Sequence, residues 1–472
     1  MFRKFLEVLL GERNTVDVSG WNEQGRAVAR FNSEEIGAFH EGRKEAPNLK
    51  EDSRTPEMAE AVLSEVIALN AQGRGSEARA LFDPAHAPFI GQMEKSDRGL
   101  LFCAILGPDE FLVRQGTYYQ DNTTWHIRGG EISKVAPLAA FAWSRNRQYF
   151  LAVMPDGRVT LGSGYSTLPQ PPVATVTRAT FVPLDLPEEL QDAFETPGDR
   201  LALTHVAVSD DGQRILLCDA ERGVVLLYHN GRDWAEQLIF PSVLLGLVED
   251  MRETLQEDEE YRSQQDMLHA ALSPDGKFIA VGHQFGGHYL IDIEDPSAPK
   301  EHATLGYLSE YPHDACFGSH SRHVASNSCH FYNGTTFCSE IDRVKGLQTP
   351  PWEQHSSQVT LNSYLRVYAS GFLPESLAPS ATGGAFLLAG SGFTNCVAVD
   401  GQVQWELEHG SSAVGLDVCP QTGRILLASY SGFLHLLDPS RQQDPPLSSG
   451  YKAPMEIRRW IFWDQLKHPI SW

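Results

Sequence analysis

A short unit that repeats along the chain limits its fold more than any other feature. Residues 269–281 read HAALSPDGKFIAV and residues 205–217 read HVAVSDDGQRILL, and the two align without a gap. Ser209 falls on Ser273, Asp211 on Asp275 and Gly212 on Gly276. In each copy an apolar stretch runs into a turn whose Asp can bond nearby backbone and whose Gly accepts positive φ, and a second apolar stretch follows. Residues 415–427 (GLDVCPQTGRILL) keep the length, with the turn glycine one place later at Gly423. Residues 141–153 (FAWSRNRQYFLAV) are a copy without the glycine, and residues 316–326 are a weaker one. A further strand-like stretch follows each copy after a turn, as from Gly223 and Gly432. One three-stranded meander cannot bury both its faces, so the recurrence predicts a stacked or circular array.

The stretch SPDGKFIAVG (273–282) with GHYLIDIED (287–295) resembles the inner strands of a tryptophan-aspartate (WD) repeat blade. VAVDGQVQWELE (397–408) is similar to a blade of the quinoprotein-type propellers. The copies carry Ile293-Glu294 and Leu437-Asp438 where WD repeats have their Trp-Asp pair. The resemblance implies an all-β chain, a β-propeller, and the count of repeats gives about seven four-stranded blades; helical spacing adds an N-terminal α-helical extension and a helical insertion.

The expected division is an N-terminal extension over 1–95, a propeller over 96–445 and a C-terminal tail over 446–472. Within the extension, 3–10 reads as a short amphipathic helix, 16–31 as a hairpin turning at Asn22–Gly25, and 41–55 as an exposed linker. Thr55 then caps a helix with Pro56 at its first position, and residues 76–82 begin a second. In the tail, 455–463 (MEIRRWIFW) is apolar enough to be a strand, and either this segment or part of the N-terminal region is expected to supply the strand that closes the ring. Between the third and fourth blades, residues 242–265 place Leu244, Leu247, Val248, Met251 and Leu255 on one helical face. The opposite face is acidic and includes Glu253, Glu257, Asp258, Glu259 and Glu260, which reads either as a solvated face or as a docking surface for a protein partner.

A formal charge of −23 argues against binding nucleic acid or an anionic membrane through bulk charge. Seven cysteines, an odd number without a paired framework, point to a reducing compartment. The first 14 residues are interrupted by Glu7 and do not read as a signal peptide, and no apolar run is long enough for membrane insertion. The expected location is cytoplasmic.

For chemistry, the densest group of metal-ligating types is His313, Cys316, His320 and His323, joined downstream by Cys329, His330 and Cys338. Their spacing lacks the Cys-x-x-Cys pairs of a zinc finger or ribbon, and neighbours in a strand alternate between faces. The aspartates of the turns, Asp210, Asp211 and Asp275, are accounted for by side-chain to backbone bonding. No phosphate loop, dinucleotide fingerprint or nucleophile elbow is present, and no cofactor is implied. The leading reading is a non-catalytic protein-protein interaction scaffold. The alternative is a hydrolase or oxidoreductase sited in the central channel, metal-assisted through residues 313–338.

Overall fold

The repeated unit folds as its turn chemistry requires. Ser273 N–H donates to Phe278 O and Gly276 N–H to Ser273 O, while the Ser273 hydroxyl bonds Asp275 at 2.8 Å. The copy one blade earlier repeats this with Ser209, Arg214 and Asp211. Gly276 and Gly212 have φ of 72° and 68°, the left-handed region that a residue without Cβ enters at no steric cost. Where the sequence lacks that glycine, the backbone keeps the shape. Arg147 and Ser321 occupy the matching turn positions with φ of 62° and 52°.

The computed structural model describes residues 17–472 except 41, 119, 170, 182–200, 241–266, 285–286, 307, 332, 351, 442–446 and 449–453. The chain forms seven antiparallel meanders. The first blade comprises Leu100–Gly107, Glu110–Gln115, Thr123–Arg128 and Glu131–Val135. The second has Ala140–Trp143, Phe150–Val153, Arg158–Gly162 and Ala174–Thr175. The third has Leu203–Val208, Arg214–Asp219, Gly223–His229 and Trp234–Phe240. The fourth has His269–Leu272, Phe278–Gly282, His288–Asp292 and Lys300–Leu305. The fifth runs through Tyr311–Phe317, His323–His330, Asn333–Glu340 and Val359–Asn362. The sixth has Val367–Leu373, Ala385–Gly390, Phe393–Ala398 and Val403–Glu408, and the seventh Ala413–Val418, Ile425–Ser429, Phe433–Leu437 and Glu456–Ile461. Each innermost strand lies beside that of the next blade, and the seventh lies beside the first. This is a seven-bladed β-propeller.

Facing sheets bury apolar side chains between them, which is what a lone meander could not do. Leu216, Val224 and Leu226 of the third blade meet Ile279, Val281 and Ile291 of the fourth, and all six are fully buried. At roughly 1.5–3 kcal/mol for each such side chain, every seam is a substantial part of the drive to fold.

The strand expected within 455–463 forms, but among the described residues neither it nor the N-terminal region joins the two ends of the chain in one sheet. Glu456–Ile461 pairs with Phe433–Leu437 and with Ile470–Ser471, all from the C-terminal end. Between the first and seventh blades the described residues close the ring through side chains, with Leu100, Cys103 and Phe111 packed against Leu426, Leu434 and Trp460 and with Arg458 bonded to Asp109 and Gln115 to Phe462 O. The third strand of the last blade needs a partner, and the nearest chain able to supply one is the segment that follows it.

The hairpin expected over 16–31 is also corrected: that region lies in a helix, α1 (Trp21–His40). Its buried positions Trp21, Gly25, Val28 and Asn32 follow a helical period. Gly25 marks close packing there, because a Cβ would lie 2.6 Å from the Arg54 guanidinium. The second helix, α2 (Pro56–Ala71), starts as the sequence indicates, with the Thr55 hydroxyl accepting from Met58 N–H. A short α3 (Gly75–Leu81) follows. Trp21, Val62, Val66 and Phe89 of the extension pack with Phe433, Ile461, Trp463 and Trp472 of the seventh blade and tail. The same seam holds a buried ion cluster, in which Glu456 accepts from Arg459, Arg79 and His435.

Candidate functional site

In a ring of outward-running meanders, the innermost strands line a central channel. Here it widens to a cavity of about 500 Å³. Its wall is largely apolar and includes Phe102, Phe141, Trp143, Val206, Leu272 and Leu416. At one end the turns between first and second strands converge, and three of these turn residues carry charge into the cavity.

Arg147, held in its left-handed turn position, reaches over the first blade to Asp417 of the seventh, with Nη1–Oδ2 at 3.0 Å and Nη2–Oδ1 at 2.6 Å. Asp417 also accepts from Ile105 N–H at 2.7 Å. Asp210 accepts from Asn146 N–H at 2.8 Å. Arg145 extends to the opposite side of the ring, where Nη2 lies 4.0 Å from Cys316 Sγ and the guanidinium stands 5.7 Å from the Phe372 ring centroid. Its Nη1 is buried without a hydrogen-bond partner among the described residues.

On the fifth blade beside Cys316, Asp314 is buried and takes a 2.5 Å hydrogen bond from the Ser370 hydroxyl. Burial pushes its carboxyl up to about 7, against the pull of Ser370 and of the Ala315 N–H. Burial also raises the Cys316 thiol above its usual value, so the group beside Arg145 is a neutral thiol. The cavity floor thus offers one fixed cation, one hydroxyl and one carboxyl that titrates near neutrality.

Toward the other end of the channel lies a belt of histidines. His205, His269 and His313 come from inner strands and His288 from a third strand. His269 Nε2 lies 3.4 Å from His288 Nδ1, His288 Nε2–H donates to Asn327 O, and His313 Nδ1–H donates to Val367 O at 2.6 Å. Burial lowers His205 and His288 to about 4 and His313 to about 3, so all are neutral at pH 7.

The candidate metal ligands are distributed rather than gathered. His313 is tied to Val367 and Arg366, Cys316 points to the cavity floor, His320 lies in the turn beyond it, and His323 opens the next strand half-buried. Among the described residues no three His, Cys, Asp or Glu side chains come within reach of one metal ion. The downstream Cys329 and Cys338 are buried and free, like Cys316. The acidic positions Glu253, Glu257, Asp258, Glu259 and Glu260 lie outside the described residues.

The turns between second and third strands and the links between blades share the face opposite the Arg145 turns. Over the fifth to seventh blades this face carries a connected run of rings. His330 and Phe331 cap one hairpin with ring centroids 4.4 Å apart, and Phe331 is 69% exposed. Arg366 donates to Phe331 O at 2.7 Å and to His313 Nε2, and lies 5.0 Å from the Tyr368 ring centroid. Tyr368 meets Tyr430 edge-on at 6.0 Å. Sequence reasoning missed both this run and the Arg145 to Arg147 pair. The signal for the second was present: arginine stands where the sister turns carry glycine.

No family model matches the sequence, and no curated protein matches it. Among solved structures, the chain is similar to the WD40 β-propeller domain of Doa1, at 10% identity and a TM-score of 0.43, over 72% of this chain and 93% of that one. No helix among the described residues is long and apolar enough to cross a membrane.

Proposed function

We propose that this propeller is a non-catalytic protein-interaction platform whose working surface is the face bearing Phe331, Arg366, Tyr368 and Tyr430. One observation carries the reading: a large aromatic side chain, 69% exposed, stands in water at the tip of the two-residue turn between His330 and Asn333, a position whose positive φ (49°) suits glycine or asparagine rather than an aromatic residue. Exposed aromatic side chains grouped around an arginine are the usual composition of a binding hot spot. The strands that flank 242–265, ending at Phe240 and starting at His269, meet this same face, and the acidic residues Glu253, Glu257, Asp258, Glu259 and Glu260 are proposed as further partner contacts.

The test is capture of partners by the full chain, by a Phe331→Ser/Arg366→Glu variant, and by a variant lacking 242–265. A partner held by the intact chain and lost from the first variant supports the reading. Unchanged capture by both variants moves the surface elsewhere. The channel-sited enzyme remains the second reading because Asp314 has a carboxyl near neutrality, suited to proton transfer. Turnover abolished by Asp314→Asn would favour it.

A further inference from the structure

We infer that the channel cavity is a binding site for a small apolar carboxylate, anchored on Arg145. The inference begins with how charge is disposed in the cavity. Its arginines and carboxylates are Arg145, Arg147, Asp210, Asp314 and Asp417. Asp417 is committed to Arg147 and to Ile105 N–H, Asp210 to Asn146, and Asp314 to Ser370. Arg145 alone has no carboxylate within ion-pair distance among the described residues. Its nearest polar neighbour is the Cys316 thiol, which burial keeps protonated and therefore unable to balance the charge.

A guanidinium is always charged; Arg145 is half-buried, and its Nη1, out of water with no hydrogen-bond partner among the described residues, is the costly part that a ligand oxygen would satisfy. The matching positions of the next two blades are Asp210 and Pro274, which line the same mouth without crossing it. Arg145 instead spans from the second blade to Cys316 and Phe372 of the fifth and sixth.

The shape and lining choose the ligand class. A cavity of about 500 Å³ is in the range of small-molecule pockets, which pair a mostly apolar wall with a few fixed polar groups. One guanidinium matches one carboxylate, two N–H groups to two oxygens. Asp314 and Asp210 disfavour a dianion such as phosphate, since each additional negative charge on the ligand meets theirs. Phe102, Phe141, Trp143 and Phe372 then suit an alkyl or aryl tail.

The experiment is calorimetric titration of the full chain with octanoate, octan-1-ol, octylamine and inorganic phosphate, repeated on Arg145→Gln and Arg145→Lys. The expected result is saturable octanoate binding that weakens at least about tenfold in Arg145→Gln and is partly kept in Arg145→Lys, with octanol and octylamine at least about tenfold weaker than octanoate on the unaltered chain. Should Arg145→Gln fail to fold, the discrimination between octanoate, octanol and octylamine still decides. The proposal is overturned if octanoate does not bind at millimolar concentration, if octanol binds as well, or if a folded Arg145→Gln binds equally. Phosphate binding as tightly as octanoate overturns the ligand class. None of these outcomes depends on the aromatic face, so the platform reading stands or falls separately.

Discussion

Arg147 and Asp417 are joined by two hydrogen bonds across the whole width of the first blade, and Asp417 bonds the backbone of that blade at Ile105 on the way. Three blades are thereby pinned at the seam where the chain's ends meet. Among the described residues no sheet is shared between the first and seventh blades, so this pair bears the closure together with the packing beneath it and with the Arg458–Asp109 and Gln115–Phe462 O hydrogen bonds across the same seam.

Asp417→Ala should therefore lower stability by about 3 kcal/mol, because it leaves a mostly buried guanidinium unpaired and strips Ile105 N–H of its acceptor. Arg147→Gly should cost less. It also loses the pair, but it relieves a left-handed arginine, worth about 1 kcal/mol. Urea unfolding of both variants gives the comparison, and an equal or larger cost for Arg147→Gly would remove the clamp argument.

Glu456 holds the N-terminal extension to the seventh blade. Burial raises its carboxyl, but Arg459, Arg79 and His435 outweigh that and hold it well below the usual carboxylate range. A group with a depressed folded pKa adds stability above its unfolded value of about 4.3, and this is lost as pH falls toward the folded value. Glu456→Gln should lower stability at pH 7 and flatten the acid limb of the stability curve below about pH 4. Because Arg79 and Arg459, whose Nη1–H donates to Ala85 O, tie the extension to the ring, limited proteolysis should cut residues 42–55 faster in the variant.

How far this architecture could be read from the sequence follows from where its information lies. The turns Ser273–Gly276 and Ser209–Gly212 carry a local code, so the repeat, and with it the ring, was legible. α1 was not, because Asn22–Gly25 has turn composition and the glycine is there for Arg54, a contact 29 residues away. Arg145 reads as a flaw in a weak repeat copy until the ring brings Cys316 and Phe372 opposite it. The His and Cys residues of 313–323 look dense along the chain, but strand alternation and the turn separate them in space.

The histidine belt predicts a pH response of its own. His205 and His288 are lowered by burial to about 4 from an ordinary value of 6.5, and His313 to about 3. The unfolded chain thus binds protons that the fold refuses, and stability falls as pH drops from about 6.5 to about 4. Each histidine contributes at most about 3 kcal/mol across that window. His288→Gln keeps a donor for Asn327 O and removes one titrating group, so its stability should decline less steeply between those limits. An unchanged slope in equilibrium unfolding would show that the belt takes up protons without unfolding.

Phe331 offers the sharpest separation of stability from function. Its φ of 49° is strained for an aromatic residue, and its ring, 69% exposed, gains little burial in return. Glycine accepts that backbone without penalty, so Phe331→Gly should raise stability, or at worst leave it unchanged, by about 1 kcal/mol set against the glycine's greater unfolded-state entropy. If the face binds a protein, the same substitution removes its most protruding ring and should weaken capture at least about tenfold. A melting curve and a binding titration on one purified variant measure both. Loss of stability with binding intact would mean that the ring serves the fold, and that the platform must be sought on another surface.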